Sequence, residues 1–150
     1  MTVSVSPYTI DVPQETLDDL RYRLENTRWP GSVSNTGWER GIDYDYMKEL
    51  VAYWLDEYDW RAEEAKLNEL AHFKADVDGL GIHFIKQEGK GPNPMPLFMM
   101  HGYPWSFILL LRILPMLTDP AAYGGDPEDS FTVIIPSIVG LSLIHISEPT

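Results

Sequence analysis

The 150-residue sequence contains no cysteine. That excludes a disulfide framework, a thiolate nucleophile and any zinc site built on sulfur. Nothing then demands an oxidising compartment, and the expected home is cytoplasmic. Basic residues are scarce as well: 11 Lys and Arg stand against 23 Asp and Glu, a net charge of −12. A field of that sign repels phosphate backbones and anionic lipid, which argues against nucleic acid as a partner. The N-terminus MTVSVSPYTIDVPQE lacks the basic and apolar regions of a signal peptide and reads as mature sequence. Unbroken apolar runs are missing too. The one stretch of spanning length, MPLFMMHGYPWSFILLLRILPML, is interrupted by Pro96, Gly102, Pro104 and Pro115. It reads as a buried strand, a turn and a buried helix rather than as a membrane helix.

What is present is a globular chain, 44% apolar and 12% aromatic, long enough for one domain with a core. Its first third is helical in pattern. Pro13 suits a first helical position, and Leu17, Leu20 and Leu24 recur on one face up to Trp29-Pro30-Gly31. Asp43 can cap a second helix whose Met47, Leu50, Val51, Trp54, Leu55 and Tyr58 follow the helical period, a stripe that must lie on something apolar. Asp59 can cap a third helix through about Leu70. Near His72 the period changes to two. Residues 73–77 and 80–84 alternate around Asp78-Gly79, the pair that suits a type I′ hairpin turn. LFMM and FTVIIPS read as strands buried on both faces of a parallel sheet, joined by a helix from about Trp105 to Leu117.

The turn HGYP, His101 to Pro104, leaves the first of those strands where an α/β sheet places its ligands. There a main-chain N–H can face a developing oxyanion, or the turn can simply pack an aromatic ring; the tetrapeptide alone leaves both readings open. Other candidates have plainer readings. His72, His83, His101 and His145 show no metal-ligand spacing and are expected to be structural, with no metal and no cofactor. GKGPNP has the glycines of a phosphate loop but neither its Lys-Ser/Thr ending nor a following helix. The pairs Asp18-Asp19 and Glu63-Glu64 are expected on solvated helix faces, and Ser106, with no base beside it, is expected to start a helix.

Several blocks in order carry a resemblance: VPQETLDDLRYRLENTRWP, GWERGIDYDYMKELVAYWLDEYDWRAEEAKLNEL, FKADVDGLGIHFI, GKGPNPMPLFMMHGYP and LTDPAAYGGDPEDSFTVIIPS. Together they resemble the N-terminal part of the epoxide hydrolases of the α/β-hydrolase fold. The resemblance implies an α/β fold in which a helical meander (1–71) precedes the first strands and first helix of the hydrolase sheet (72–140), an incomplete domain. It implies hydrolysis of a small-molecule epoxide to a vicinal diol through an aspartyl ester, with lid tyrosines and a late histidine assisting. It assigns the backbone N–H of Tyr103 to the oxyanion hole, within the motif His101, Gly102, Tyr103 and Pro104, and suggests a cis Tyr103–Pro104 peptide.

Departures from the family pattern set further expectations. The family usually has tryptophan before the proline and glycine after it, where this chain has Tyr103 and Trp105. Its next turn, PSLPGYG, becomes PSIVG and ends at Leu141, so 141–150 (LSLIHISEPT) reads as an appended, non-native tail. The nucleophile elbow and the base are not in these residues, and the chain by itself is expected to be catalytically silent. Two alternatives stand beside this reading. One is a fragment of a related dehalogenase or esterase; the other is a non-catalytic association module in which the meander forms a homodimer.

Overall fold

The switch of period near His72 is where helix gives way to strand. The structure, a computed structural model, describes residues 3–31 and 37–143. Its elements are β1 (Val3–Pro7), α1 (Gln14–Glu25), α2 (Tyr44–Asp56), α3 (Trp60–Leu67), β2 (His72–Val77), β3 (Leu80–Gln87), β4 (Met95–Phe98), α4 (Leu114–Thr118) and β5 (Phe131–Pro136). The chain divides into two compact units, residues 11–64 and residues 1–10 with 65 onward. His145 and residues 144–150 of the expected tail lie outside the described residues.

In the unit 11–64, local side-chain chemistry sets the helix starts. Asp43 accepts the Tyr46 N–H at 2.9 Å to open α2, and Asp59 accepts the Ala62 N–H at 3.1 Å to open α3. Arg21 of α1 donates twice to the Leu55 carbonyl, at 3.2 and 2.9 Å, where the end of α2 leaves carbonyls without helical partners. The apolar stripe of α2 is not covered as its composition demands. Leu50, Trp54 and Tyr58 stay exposed, and Trp54 and Tyr58, with Leu17, Leu20 and Leu24 of α1, border an apolar cavity of about 270 Å³. Within this unit α1 is the one long helix set against that stripe, and one helix cannot cover six large side chains.

Glu64 corrects an expectation. It is buried, not solvated, and its carboxylate accepts the Val12 N–H at 2.8 Å, Trp60 Nε1–H at 3.2 Å and the Arg61 guanidinium at 2.6 Å. Burial pushes its pKa up, but these donors together outweigh burial and hold the carboxyl below its ordinary value. Its stabilising contribution is therefore present at neutral pH and is lost as pH falls through its lowered pKa. Glu64→Ala leaves a main-chain and an indole donor unpaired, and is expected to destabilise the helical unit by about 3 kcal/mol, measured by urea unfolding at pH 7.

The second unit is built on a five-stranded sheet in the order β1-β2-β3-β5-β4. The hairpin falls where the sequence placed it: Asp78 (φ 53°) and Gly79 (φ 86°) both take the left-handed conformation a type I′ turn needs. Val77 pairs with Leu80 across it. β1, a short alternation of Val and Ser, pairs antiparallel with β2, and its side chains are exposed. β5 runs antiparallel to β3 and parallel to β4, so the sheet is mixed rather than wholly parallel. Ile85, Val133 and Ile135 form the core of one face, with Phe107 and Leu114 packed over them. Each such burial contributes about 1.5–3 kcal/mol.

Two further expectations are corrected here. β4 is an edge strand among the described residues, with Met95 and Phe98 exposed, and is not buried on both faces. The helix expected over 105–117 is broken into a 3-10 turn, Phe107–Leu110, and the five-residue α4. Pro115 explains the break: it lacks an N–H and its ring meets the carbonyl four residues back, so it is accommodated in the first turn of α4 and not inside a longer helix. No helix among the described residues is long and apolar enough to cross a membrane.

Candidate functional site

Because β4 and β5 are parallel, their carboxyl ends share one edge of the sheet, and the chain leaves both there. β4 exits through Met99–Met100 into His101-Gly102-Tyr103-Pro104, and β5 exits into Ser137-Ile138. The first exit closes as a tight turn, with the Trp105 N–H donating to the Gly102 carbonyl at 2.8 Å and the Tyr103–Pro104 peptide cis as expected. His101 lies buried beneath it, its Nδ1 3.2 Å from the Gly102 carbonyl oxygen. The two exits are tied together by the Ile138 N–H, which donates to His101 Nε2 at 3.3 Å.

That arrangement leaves one group open. The Gly102 carbonyl accepts from two sides, while the N–H of the same peptide, that of Tyr103, donates to no acceptor among the described residues. A Cβ built at Gly102 would meet nothing within 4 Å, so the space beside the amide is open as well. Tyr103 is 82% exposed and Trp105 59% exposed, and the two rings border the turn. A fixed, unpaired N–H at the carboxyl edge of a sheet can hydrogen-bond an anion or a developing oxyanion.

Under this edge, facing the core, lies a row of polar groups that the sequence pattern had left as plain structural histidines. His72 Nε2 is 2.7 Å from the Leu67 carbonyl oxygen, His72 Nδ1 is 2.9 Å from His83 Nε2, and His83 Nδ1 is 2.8 Å from Ser137 Oγ. All three side chains are buried. The placement of His83 was not readable: the alternation of Leu80, Ile82 and Phe84 marks the other face as apolar, whereas β3 buries Gly81, His83 and Ile85, and the partner Ser137 lies 54 residues away.

Burial, and then the neighbouring charge of His72, push His83 down from 6.5 to about 4. The unfolded chain therefore binds a proton at higher pH than the native one, and stability falls as pH drops from 6.5 towards 4. Between pH 7.5 and 5 this one group is expected to remove about 2 kcal/mol, seen as a lower urea midpoint by tryptophan fluorescence. His83→Gln should flatten that dependence.

The remaining candidates are not brought into the site. Ser106 stands at the start of the 3-10 turn Phe107–Leu110, in extended conformation and with no capping hydrogen bond from its side chain. The GKGPNP loop packs on the start of β5: the Gly91 N–H donates to Ser130 Oγ at 3.1 Å and the Gly89 N–H to Thr132 Oγ1 at 3.2 Å. Asp18 and Asp19 are exposed, the latter 2.7 Å from Arg23. Among the described residues no three His, Asp or Glu gather as metal ligands would.

Helices ahead of a mixed sheet, with an open amide at the carboxyl edge of parallel strands, define part of an α/β domain of the hydrolase type. Residues 5–110 match the family described as "Epoxide hydrolase N terminus", and the chain belongs to that family. It is 44% identical over 136 residues to a putative epoxide hydrolase of Stigmatella aurantiaca (strain DW4/3-1), covering 91% of this chain and 31% of the relative. To Epoxide hydrolase 1 of Oryctolagus cuniculus it is 38% identical over 141 residues, covering 91% and 31%. Among solved structures, Aspergillus niger epoxide hydrolase superposes with a TM-score of 0.76 at 29% identity, over 91% of this chain and 36% of that one. The juvenile hormone epoxide hydrolase of the silkworm Bombyx mori gives 0.78 at 26%, over 93% and 37%. The chain thus spans about 31% of the length of the curated relatives it matches and corresponds to their N-terminal part.

Proposed function

We propose that this chain supplies the oxyanion donor of an enzyme that hydrolyses epoxides to vicinal diols. In that reaction an aspartate oxygen bonds to a ring carbon as the ring C–O bond breaks, and an acid protonates the released alkoxide. A base-activated water then adds to the ester carbonyl, whose oxygen becomes an oxyanion, and collapse of that species releases the diol and regenerates the aspartate. Tyr103 N–H is the group that would face the oxyanion. The observation that supports this most is the open amide at the shared exit of β4 and β5, with both acceptor positions of its own peptide carbonyl occupied. His101, Gly102 and Pro104 shape the turn and do not themselves react.

Residues 1–150 carry neither an aspartate elbow nor a late histidine in the family's positions, and act as the leading part of a longer catalytic unit: a helical extension over 1–71 and the start of the core over 72–140, with 141–150 foreign to it. The substrate is a small-molecule epoxide and the setting cytoplasmic. Purified 1–150 is expected to form no diol from styrene oxide. A chimera continuing residues 1–140 with the corresponding remainder of a curated relative should form it. Turnover by 1–150 alone, or an inactive but folded chimera, would overturn the reading.

The open apolar cavity along Leu17, Leu20, Leu24, Trp54 and Tyr58 favours one second reading, an association surface for a homodimer. A monomer by size exclusion with light scattering removes it.

A further inference from the structure

The row His72, His83 and Ser137 takes no part in the chemistry proposed above, yet each ring nitrogen in it has a defined partner. A carbonyl oxygen only accepts, so the Leu67 carbonyl requires the proton on His72 Nε2 and leaves Nδ1 as acceptor. His83 Nε2–H must then donate to His72 Nδ1, and His83 Nδ1 must accept from the Ser137 hydroxyl. The direction of every bond follows from the carbonyl at the end. Ser137 is held on His83 a second time, through its own N–H, which donates to the His83 carbonyl at 2.8 Å.

The consequence is felt one residue on. Ile138 N–H donates to His101 Nε2, which must be unprotonated to accept; in the neutral ring the proton is on Nδ1, pointing at the Gly102 carbonyl. That carbonyl and the Tyr103 N–H are two ends of one peptide plane. Hydrogen bonds to its oxygen fix the plane and polarise it, which strengthens the N–H as a donor.

We propose that His83 is a positioning residue for the Tyr103 amide: it clamps Ser137, which places Ile138 N–H, which selects the His101 tautomer that holds the Gly102–Tyr103 peptide with its N–H outward. The purpose of this arrangement rests on the oxyanion reading of Tyr103; the arrangement itself does not. A buried polar cluster that merely pins β3 to β5 would contribute to stability without governing the His101 ring.

The experiment is long-range ¹H–¹⁵N correlation spectroscopy of the imidazoles in the labelled 150-residue chain at pH 7.5, for wild type, Ser137→Ala and Ser137→Thr. In wild type, His72 and His83 are expected as Nε2–H tautomers and His101 as Nδ1–H. Ser137→Ala should raise the Nε2–H fraction of His101 at least fivefold, speed exchange of the Ile138 amide at least tenfold and move the Tyr103 amide resonance, while Val133 and Ile135 stay protected. Ser137→Thr, which keeps the hydroxyl, should restore the wild-type pattern. The inference is overturned if His101 is Nε2–H in wild type, or if its tautomer and the Tyr103 amide are unchanged in Ser137→Ala. Diol formation does not enter this readout, so failure of the enzymatic reading would show separately in the chimera.

Discussion

In a catalytically complete chimera carrying residues 1–140, replacing Tyr103 with proline is expected to lower kcat for diol formation roughly 10²–10³-fold, the equivalent of about 2.7–4 kcal/mol. Proline has no N–H, so the substitution deletes the donor that the structure leaves open at the exit of β4. The loss should fall on hydrolysis of the ester, where the oxyanion forms, and less on ring opening, where it does not. The covalent ester should therefore accumulate, visible by mass spectrometry as an adduct of substrate mass. Tyr103→Phe keeps the main-chain N–H and removes only an exposed phenol oxygen, and should stay within about threefold of wild type, an effect below 1 kcal/mol. A proline variant that turns over as fast as wild type would exclude Tyr103 N–H from the chemistry. So would equal losses from the proline and phenylalanine variants.

Gly91→Ala is expected to be the most damaging single substitution for the fold. A Cβ at Gly91 would overlap the Pro127 carbonyl and the Ser130 hydroxyl, and the first of these is backbone that cannot rotate away. The same residue donates its N–H to Ser130 Oγ, so displacing it also leaves a partly buried donor without its acceptor. Overpacking and the lost hydrogen bond together should cost about 3 kcal/mol, or about 10–20 °C in Tm. Gly31→Ala, where a Cβ meets nothing within 4 Å, is the matched control and should change Tm by no more than about 2 °C. The glycines of the GKGPNP loop are thus explained by close approach to β5 rather than by a phosphate.

The features legible in the sequence are those decided within a few residues. Asp43 and Asp59 cap helices with their own side chains, Asp78-Gly79 makes its hairpin turn, and the buried run FTVIIP forms a strand beside the exit of LFMM. The turn at His101–Pro104 was legible as a candidate for the same reason: its residue types dictate its shape. What was not legible depends on partners distant in sequence. Glu64 is buried because the Val12 N–H, 52 residues away, needs an acceptor. Edge position exposes β4 despite an apolar sequence, and Pro115 divides a run whose composition alone reads as one helix. β1 escaped notice because its alternation of Val and Ser offers only two apolar residues, Val3 and Val5, and both stay exposed. The link from His83 to Ser137 and from Ile138 to His101 is tertiary throughout, and no local pattern encodes it.

The most direct test of the central claim is a crystal structure of the chimera with its base histidine replaced, soaked with styrene oxide so that the aspartyl ester accumulates. The Tyr103 nitrogen is predicted to lie about 2.7–3.1 Å from the ester carbonyl oxygen, with its N–H directed at it. An ester carbonyl bound by other donors, with the Tyr103 amide turned away or hydrogen-bonded within the protein, would contradict the account.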